Sequence, residues 1–174
     1  MTSSSEQRVS RFTALYEEYV PMVRAYVRTK TTVDDAEAVV QATFETAWSR
    51  LEIVPLLSER AWLFGVARNH MRNQHRANRR RSNLVEAITA ARPTTDIDLY
   101  TGDLDPAERE QVRRALDQLS ELDREIVQLT AWHDFSSTEV AQVLEISPAN
   151  VRIRLHRTRQ KLAPLLIEDG EVAS

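Results

Sequence analysis

The sequence predicts an all-α protein: two small helical domains joined by an acidic linker, with a helix-turn-helix in the second. Three observations lead there. First, the chain of 174 residues has only 3 Gly and 6 Pro, and its apolar residues recur at three- and four-residue intervals. No alternating run of β-branched residues is present to build a sheet. Second, charge is segregated. Arg60 to Arg81 holds seven Arg and no acid, Pro93 to Glu125 holds ten acids against four Arg, and Pro148 to Pro164 holds five basic residues and no acid. The net charge of −3 hides two basic patches around an acidic middle, and each patch can hold phosphate. Third, the stretch SSTEVAQVLEISPANVRIRLHRTRQKL (136–162) reads as a short capped helix, a tight turn and a longer capped helix.

In chain order, residues 1–8 (MTSSSEQR) are polar and expected to be disordered. A first helix runs from Val9 to about Lys30, with Phe12, Leu15, Tyr16, Tyr19, Val23, Tyr26 and Val27 as its core stripe, and Pro21 is expected either to kink it or to divide it in two. Thr32 or Asp34 caps a second helix to Leu51, whose Val33, Ala36, Val40, Phe44, Ala47, Trp48 and Leu51 face inward. Gln41 and Glu45 lie one turn apart on another face. The segment Glu52 to Ser58 is an apolar loop holding Pro55. It either tucks its Ile53, Val54, Leu56 and Leu57 into the core or offers them to a partner.

A third helix starts at Glu59 or Arg60 and continues to Arg81. Trp62, Leu63, Val66, Ala67 and Met71 pack, while Asn69, Arg72, Asn73 and Arg76 share the polar side. An aromatic beside cations and amides suits single-stranded nucleic acid, where bases stack and phosphates need positive charge. Residues 83–105 read as the linker, with one short helix over Leu84–Ala91. Helices over Pro106–Leu119 and Leu122–Trp132 then support the helix-turn-helix. Ser136 or Ser137 caps its first helix with Glu139 close behind, and the turn is Glu145-Ile146. Ser147 caps its second, with Pro148 at the first helical position, and that helix is expected to end at Ala163 before Pro164. Val151, Leu155 and Leu162 fall on one face of it. Ala149, Asn150, Ile153, His156, Arg157 and Gln160 fall opposite, flanked by Arg152, Arg154, Arg159 and Lys161. Small and polar residues between cations are the layout of a helix that reads base edges and grips phosphates. The domains are therefore expected at 9–82 and 106–167, with a tail at 168–174.

Composition limits the chemistry. The chain has no Cys, so it forms no disulfide or thiolate-bound zinc site. His70, His75, His133 and His156 share no ligand spacing with carboxylates, so no metal or other cofactor is expected. No nucleophile–base pair stands out, and an enzyme is not expected. With no signal peptide and no apolar span of about 18 residues, the chain is expected to be cytoplasmic, away from membranes.

Four stretches together resemble a family. DDAEAVVQATFETAW (34–48), AWLFGVARNHMRNQHR (61–76), LDQLSELDREIVQLTAWHDFSSTEVAQVLEIS (116–147) and SPANVRIRLHRTRQKL (147–162) look like the sigma-70 family of bacterial RNA polymerase sigma factors, in its extracytoplasmic-function group. The resemblance implies a subunit that binds core RNA polymerase and directs it to −35 and −10 promoter elements. It implies that Asp35, Glu37, Gln41 and Glu45 face the polymerase clamp. The loop Val54, Pro55, Leu56, Leu57 would take up a flipped −10 base. Trp62, Asn69, Arg72, Asn73 and Arg76 would hold the −10 strand. Ser147, Ala149, Asn150, Ile153, Arg154 and Arg157 would meet the −35 duplex, with Arg152 and Arg159 on phosphates. An inhibitory anti-sigma factor is a further partner the family allows. This chain departs from the family in having Glu145 where the turn often has Gly, so a left-handed residue there would cost what Gly avoids. It also has Asn73 where the family often has Asp. The alternative class is a stand-alone helix-turn-helix regulator. The acid-free Arg60–Arg81 helix speaks against it, since a sensor domain needs no such run.

Overall fold

The computed structural model describes residues 4–82 and 100–167. Among these, all regular structure is helical, and the helices group into two compact units. The first unit holds α1 (Ser4–Arg28), α2 (Val33–Ser49) and α3 (Glu59–Ser82). The second holds α4 (Pro106–Asp117), α5 (Glu121–His133), α6 (Ser137–Leu144) and α7 (Pro148–Ile167). The expected short helix at 84–91, most of the acidic linker and the tail at 168–174 lie outside the described residues.

In the first unit the three helices pack against one another around Tyr26 and Phe64. Both rings are fully buried and stack at 4.7 Å. Val23 and Val27 from α1, Val40 and Phe44 from α2, and Leu63 and Met71 from α3 complete this core. α1 begins at Ser4, so part of the segment expected to be disordered is helical. The cause is tertiary. Arg8 pairs with Glu52, donates to the Trp48 carbonyl at 2.6 Å and stands over the Trp48 ring at 4.9 Å. Pro21 does not divide α1. The fully buried Val23, Tyr26 and Val27 just beyond it outweigh the one backbone bond it removes. Thr32 caps α2, its Oγ1 accepting from the Asp35 N–H. After α2 the chain makes a 3-10 turn, Leu51–Ile53.

In the second unit α7 packs on α4, α5 and α6. Each supporting helix is locally capped. Asp105 and Glu108 form a capping box at α4, Ser120 caps α5, and Ser136 with Glu139 forms a second box at α6. Tyr100, expected in the linker, belongs to this unit. Its ring stacks on Trp132 at 4.7 Å with only 3° between the planes, and its hydroxyl meets His133 Nε2 at 3.2 Å. Burial pushes that hydroxyl's pKa well up. α7 runs through Pro164 to Ile167 and does not stop at Ala163. A proline so near the end removes one bond only, and the Gln111 amide donates to the Leu165 carbonyl at 3.0 Å, satisfying an acceptor of the last turn.

Candidate nucleic-acid and protein interfaces

The helix-turn-helix is built from local signals. α6 ends on Glu145 in the left-handed region, at φ 57° and ψ 42°. That single residue turns the chain toward Ser147, whose Oγ accepts from the Asn150 N–H at 3.1 Å and starts α7. Val151 and Thr158 are buried, and Leu155 and Leu162 half-buried, so this face of α7 is inward. Ala149, Asn150, Ile153, His156, Arg157 and Gln160 are exposed on the other side, and Arg152 and Arg159 are exposed on its flank.

Arg154 differs from its neighbours. Its guanidinium donates to Asp123 Oδ1 of α5 at 2.8 Å. Partial burial pushes the Asp123 carboxyl up, but hydrogen bonds from Ser120 and Arg154 and the charges of Arg154 and Lys161 outweigh it, holding the group below the usual carboxylate range. Arg154 was expected in the groove with Arg157. In the structure it straps α7 to α5, because its position lies about 60° nearer the buried face.

The first unit carries a second polar row. Asn69, Arg72, Asn73 and Arg76 are exposed on α3, within about 100° of arc. Trp62 is half-buried near the start of that helix. The loop before it splits by residue. Leu56 is 74% exposed and Leu57 fully so, at the tip of a turn closed by the Ser58 N–H to the Pro55 carbonyl. Val54 is 3% exposed, and its carbonyl accepts from Arg11 at 2.9 Å. Its side chain therefore serves the core and cannot line the outer face of the loop, as expected of it.

A third surface lies between α1 and α2. An open groove of about 530 Å³ is lined by Phe12, Tyr16, Val40, Phe44 and Trp48 with Gln41, Glu45, Arg24 and Glu37 around it. Phe12 meets Trp48 edge-on at 5.1 Å, and Tyr16 meets Phe44 at 4.8 Å. Tyr16 and Trp48 were expected in the core but remain more than a third exposed here. The Gln41 amide donates to Glu45 at 2.8 Å. Arg24 donates to Glu37 at 2.8 and 3.2 Å, and this bond holds the Glu37 carboxyl below its usual range. Asp35 accepts from Gln74 of α3 at 2.6 Å, which ties the start of α2 to α3.

No group of three or more His, Asp or Glu among the described residues is arranged to hold a metal ion. None of the described helices is long and apolar enough to cross a membrane.

A capped helix-turn-helix with an outward cationic face, in one chain with a second helical unit bearing an amide and arginine row, defines a class of protein that holds DNA at two places. Comparison with known proteins narrows the class. The Sigma-70 region 2 model matches residues 15–81, and the Sigma-70 region 4 model matches residues 109–162. The RNA polymerase sigma factor CnrH of Cupriavidus metallidurans is 36% identical over 160 residues, covering 85% of this chain and 80% of that protein. The ECF RNA polymerase sigma factor SigL of Mycobacterium tuberculosis is 32% identical over 161 residues, covering 90% and 89%. Among solved structures, CnrH in complex with the cytosolic domain of CnrY superposes with a TM-score of 0.59 at 30% identity, over 91% of this chain and 88% of that one. The sigma factor RpoE of Bartonella quintana, in complex with the anti-sigma factor NepR, superposes at 0.65 with 27% identity, over 94% and 98%. The chain belongs to the sigma-70 family of RNA polymerase sigma factors, in its extracytoplasmic-function group.

Proposed function

We infer that the chain binds core RNA polymerase and directs it to promoters, holding a duplex −35 element on α7 and an opened −10 strand on α3 and the loop before it. The observation that carries this is the pairing of two exposed cation and amide faces, one on each unit. Ser147, Ala149, Asn150, Ile153 and Arg157 meet the −35 bases, and Arg152 and Arg159 meet phosphates. Leu56 and Leu57 take up an unstacked −10 base, while Trp62, Asn69, Arg72, Asn73 and Arg76 hold the strand. Neither surface cleaves or transfers anything. The chemistry belongs to the polymerase, which places this chain in the cytoplasm.

The groove between α1 and α2 is the polymerase-facing surface, with Gln41, Glu45 and Glu37 as its polar rim and Phe12, Tyr16 and Trp48 as apolar anchors. Aromatic anchors inside a polar rim are the composition of a protein interface. The relatives CnrH and RpoE occur in complexes with CnrY and NepR, which supports an inhibitory protein partner for this chain as well.

The test is Arg157→Ala in promoter-specific transcription with core polymerase. Loss of one bidentate base contact predicts a drop of about tenfold or more and relaxed discrimination at one −35 position. Intact −35 discrimination would assign that face of α7 another role.

A further inference from the structure

Among the described side chains of α7, Ile153 is the one large apolar residue on the exposed face (52% exposed), three residues after Asn150 and four before Arg157. Single exposed apolar residues are ordinary, so position and surroundings carry the weight. Exposed Arg157 follows it one turn later, exposed Arg152 and Arg159 stand on the flank, and no acid occurs from Ser147 to Leu166. The Asp123 strap holds Arg154 back from that face, leaving Ile153 standing between Asn150 and Arg157. A phosphate-lined major groove offers a helix one apolar group, the C5-methyl of thymine. Isoleucine has no donor or acceptor. Pressed against guanine N7 and O6 or cytosine N4, it would strip water from polar edges and return nothing.

We propose that Ile153 reads a thymine methyl in the −35 element. This rests on the reading of α7 as the −35 helix and adds the chemistry of one contact. The helix rise of 1.5 Å sets Ile153 about 4.5 Å from Asn150 and about 6 Å from Arg157 along the axis. Against a base-pair rise of about 3.4 Å, the thymine lies one or two base pairs from the position Arg157 reads.

The experiment uses the full chain with core polymerase on a promoter selected from a randomised library. Every thymine of the −35 region, on both strands, is replaced singly by deoxyuridine, which removes the methyl and nothing else. One replacement, within two base pairs of the position that Arg157→Ala relaxes, lowers subsaturating transcription about fourfold. In Ile153→Ala that replacement has no effect, and in Ile153→Val its effect is intermediate. Melting curves confirm that both variants are folded. A wild-type protein indifferent to every methyl, a −35 element without thymine, or methyl sensitivity that survives Ile153→Ala overturns the proposal. If ordinary base changes in the −35 region also do nothing, the −35 reading of α7 falls with it. If base changes matter and methyls do not, only the role of Ile153 falls.

Discussion

Replacing Glu145 with glycine isolates the backbone cost of the helix-helix turn. Glu145 sits at φ 57° and ψ 42°, where an L-residue crowds its Cβ against the carbonyl, at about 1–2 kcal/mol. Glutamate lacks the short polar group with which Asn or Asp offsets this. Glycine removes the cost and gives back about 0.5–1 kcal/mol through its looser unfolded chain, so Glu145→Gly is expected to stabilise the α4–α7 unit by about 1 kcal/mol. The control is Glu145→Ala. It removes the charge at the negative end of the α6 dipole but keeps the Cβ, and gains at most about 0.5 kcal/mol. Hydrogen–deuterium exchange of the full chain reads the difference element by element. Slow amides of α6 and α7 should exchange about fivefold more slowly in Glu145→Gly, with α1–α3 unchanged. Equal protection in the glycine and alanine variants would show that charge, and not backbone conformation, is the cause.

Three further outcomes follow from the geometry. His70 Nε2 meets Thr46 Oγ1 at 3.0 Å, and burial holds the imidazole below its ordinary value, with the Glu45 charge partly opposing. The unfolded chain then binds more protons below about pH 6.5, so the α1–α3 unit loses stability as pH falls through that value toward the folded one. Urea midpoints between pH 8 and 5 should show this slope and lose most of it in His70→Gln; an identical slope in the variant removes His70 as the source. Gln41→Ala or Glu37→Lys should weaken co-elution with core polymerase about tenfold while melting curves still show a folded chain, and unaltered affinity would take both residues out of the interface. Asp123→Ala should cost about 1 kcal/mol and free Arg154. The resulting loss of −35 discrimination should exceed that from Arg154→Ala, and equal effects would show that Asp123 acts on Arg154 alone.

The helix-turn-helix could be read from the chain because its signals are local. Ser136 with Glu139, and Ser147 with Pro148, each mark a helix start within a span of four residues. What escaped depended on distant partners. The start of α1 is held by Glu52 and Trp48, 44 and 40 positions away from Arg8. Tyr100 reads as linker until Trp132 is folded against it. Arg154 and Arg157 look alike on the helix, and only Asp123, 31 positions earlier, separates their roles. Tyr16 and Trp48 show the limit of periodicity. It places them on the inward side of α1 and α2 but does not say how far that side is covered, and the uncovered edge is the groove.

DNA recognition by this chain is expected to belong to its complex with polymerase. The direct measurement is selection from a randomised duplex library by the chain alone and by the chain with core RNA polymerase, with co-elution followed in parallel. The chain is expected to co-elute and to enrich two separated elements only when polymerase is present, read out again as promoter-specific transcripts. A chain that fails to co-elute and by itself enriches a symmetric duplex site would contradict it and identify a stand-alone regulator.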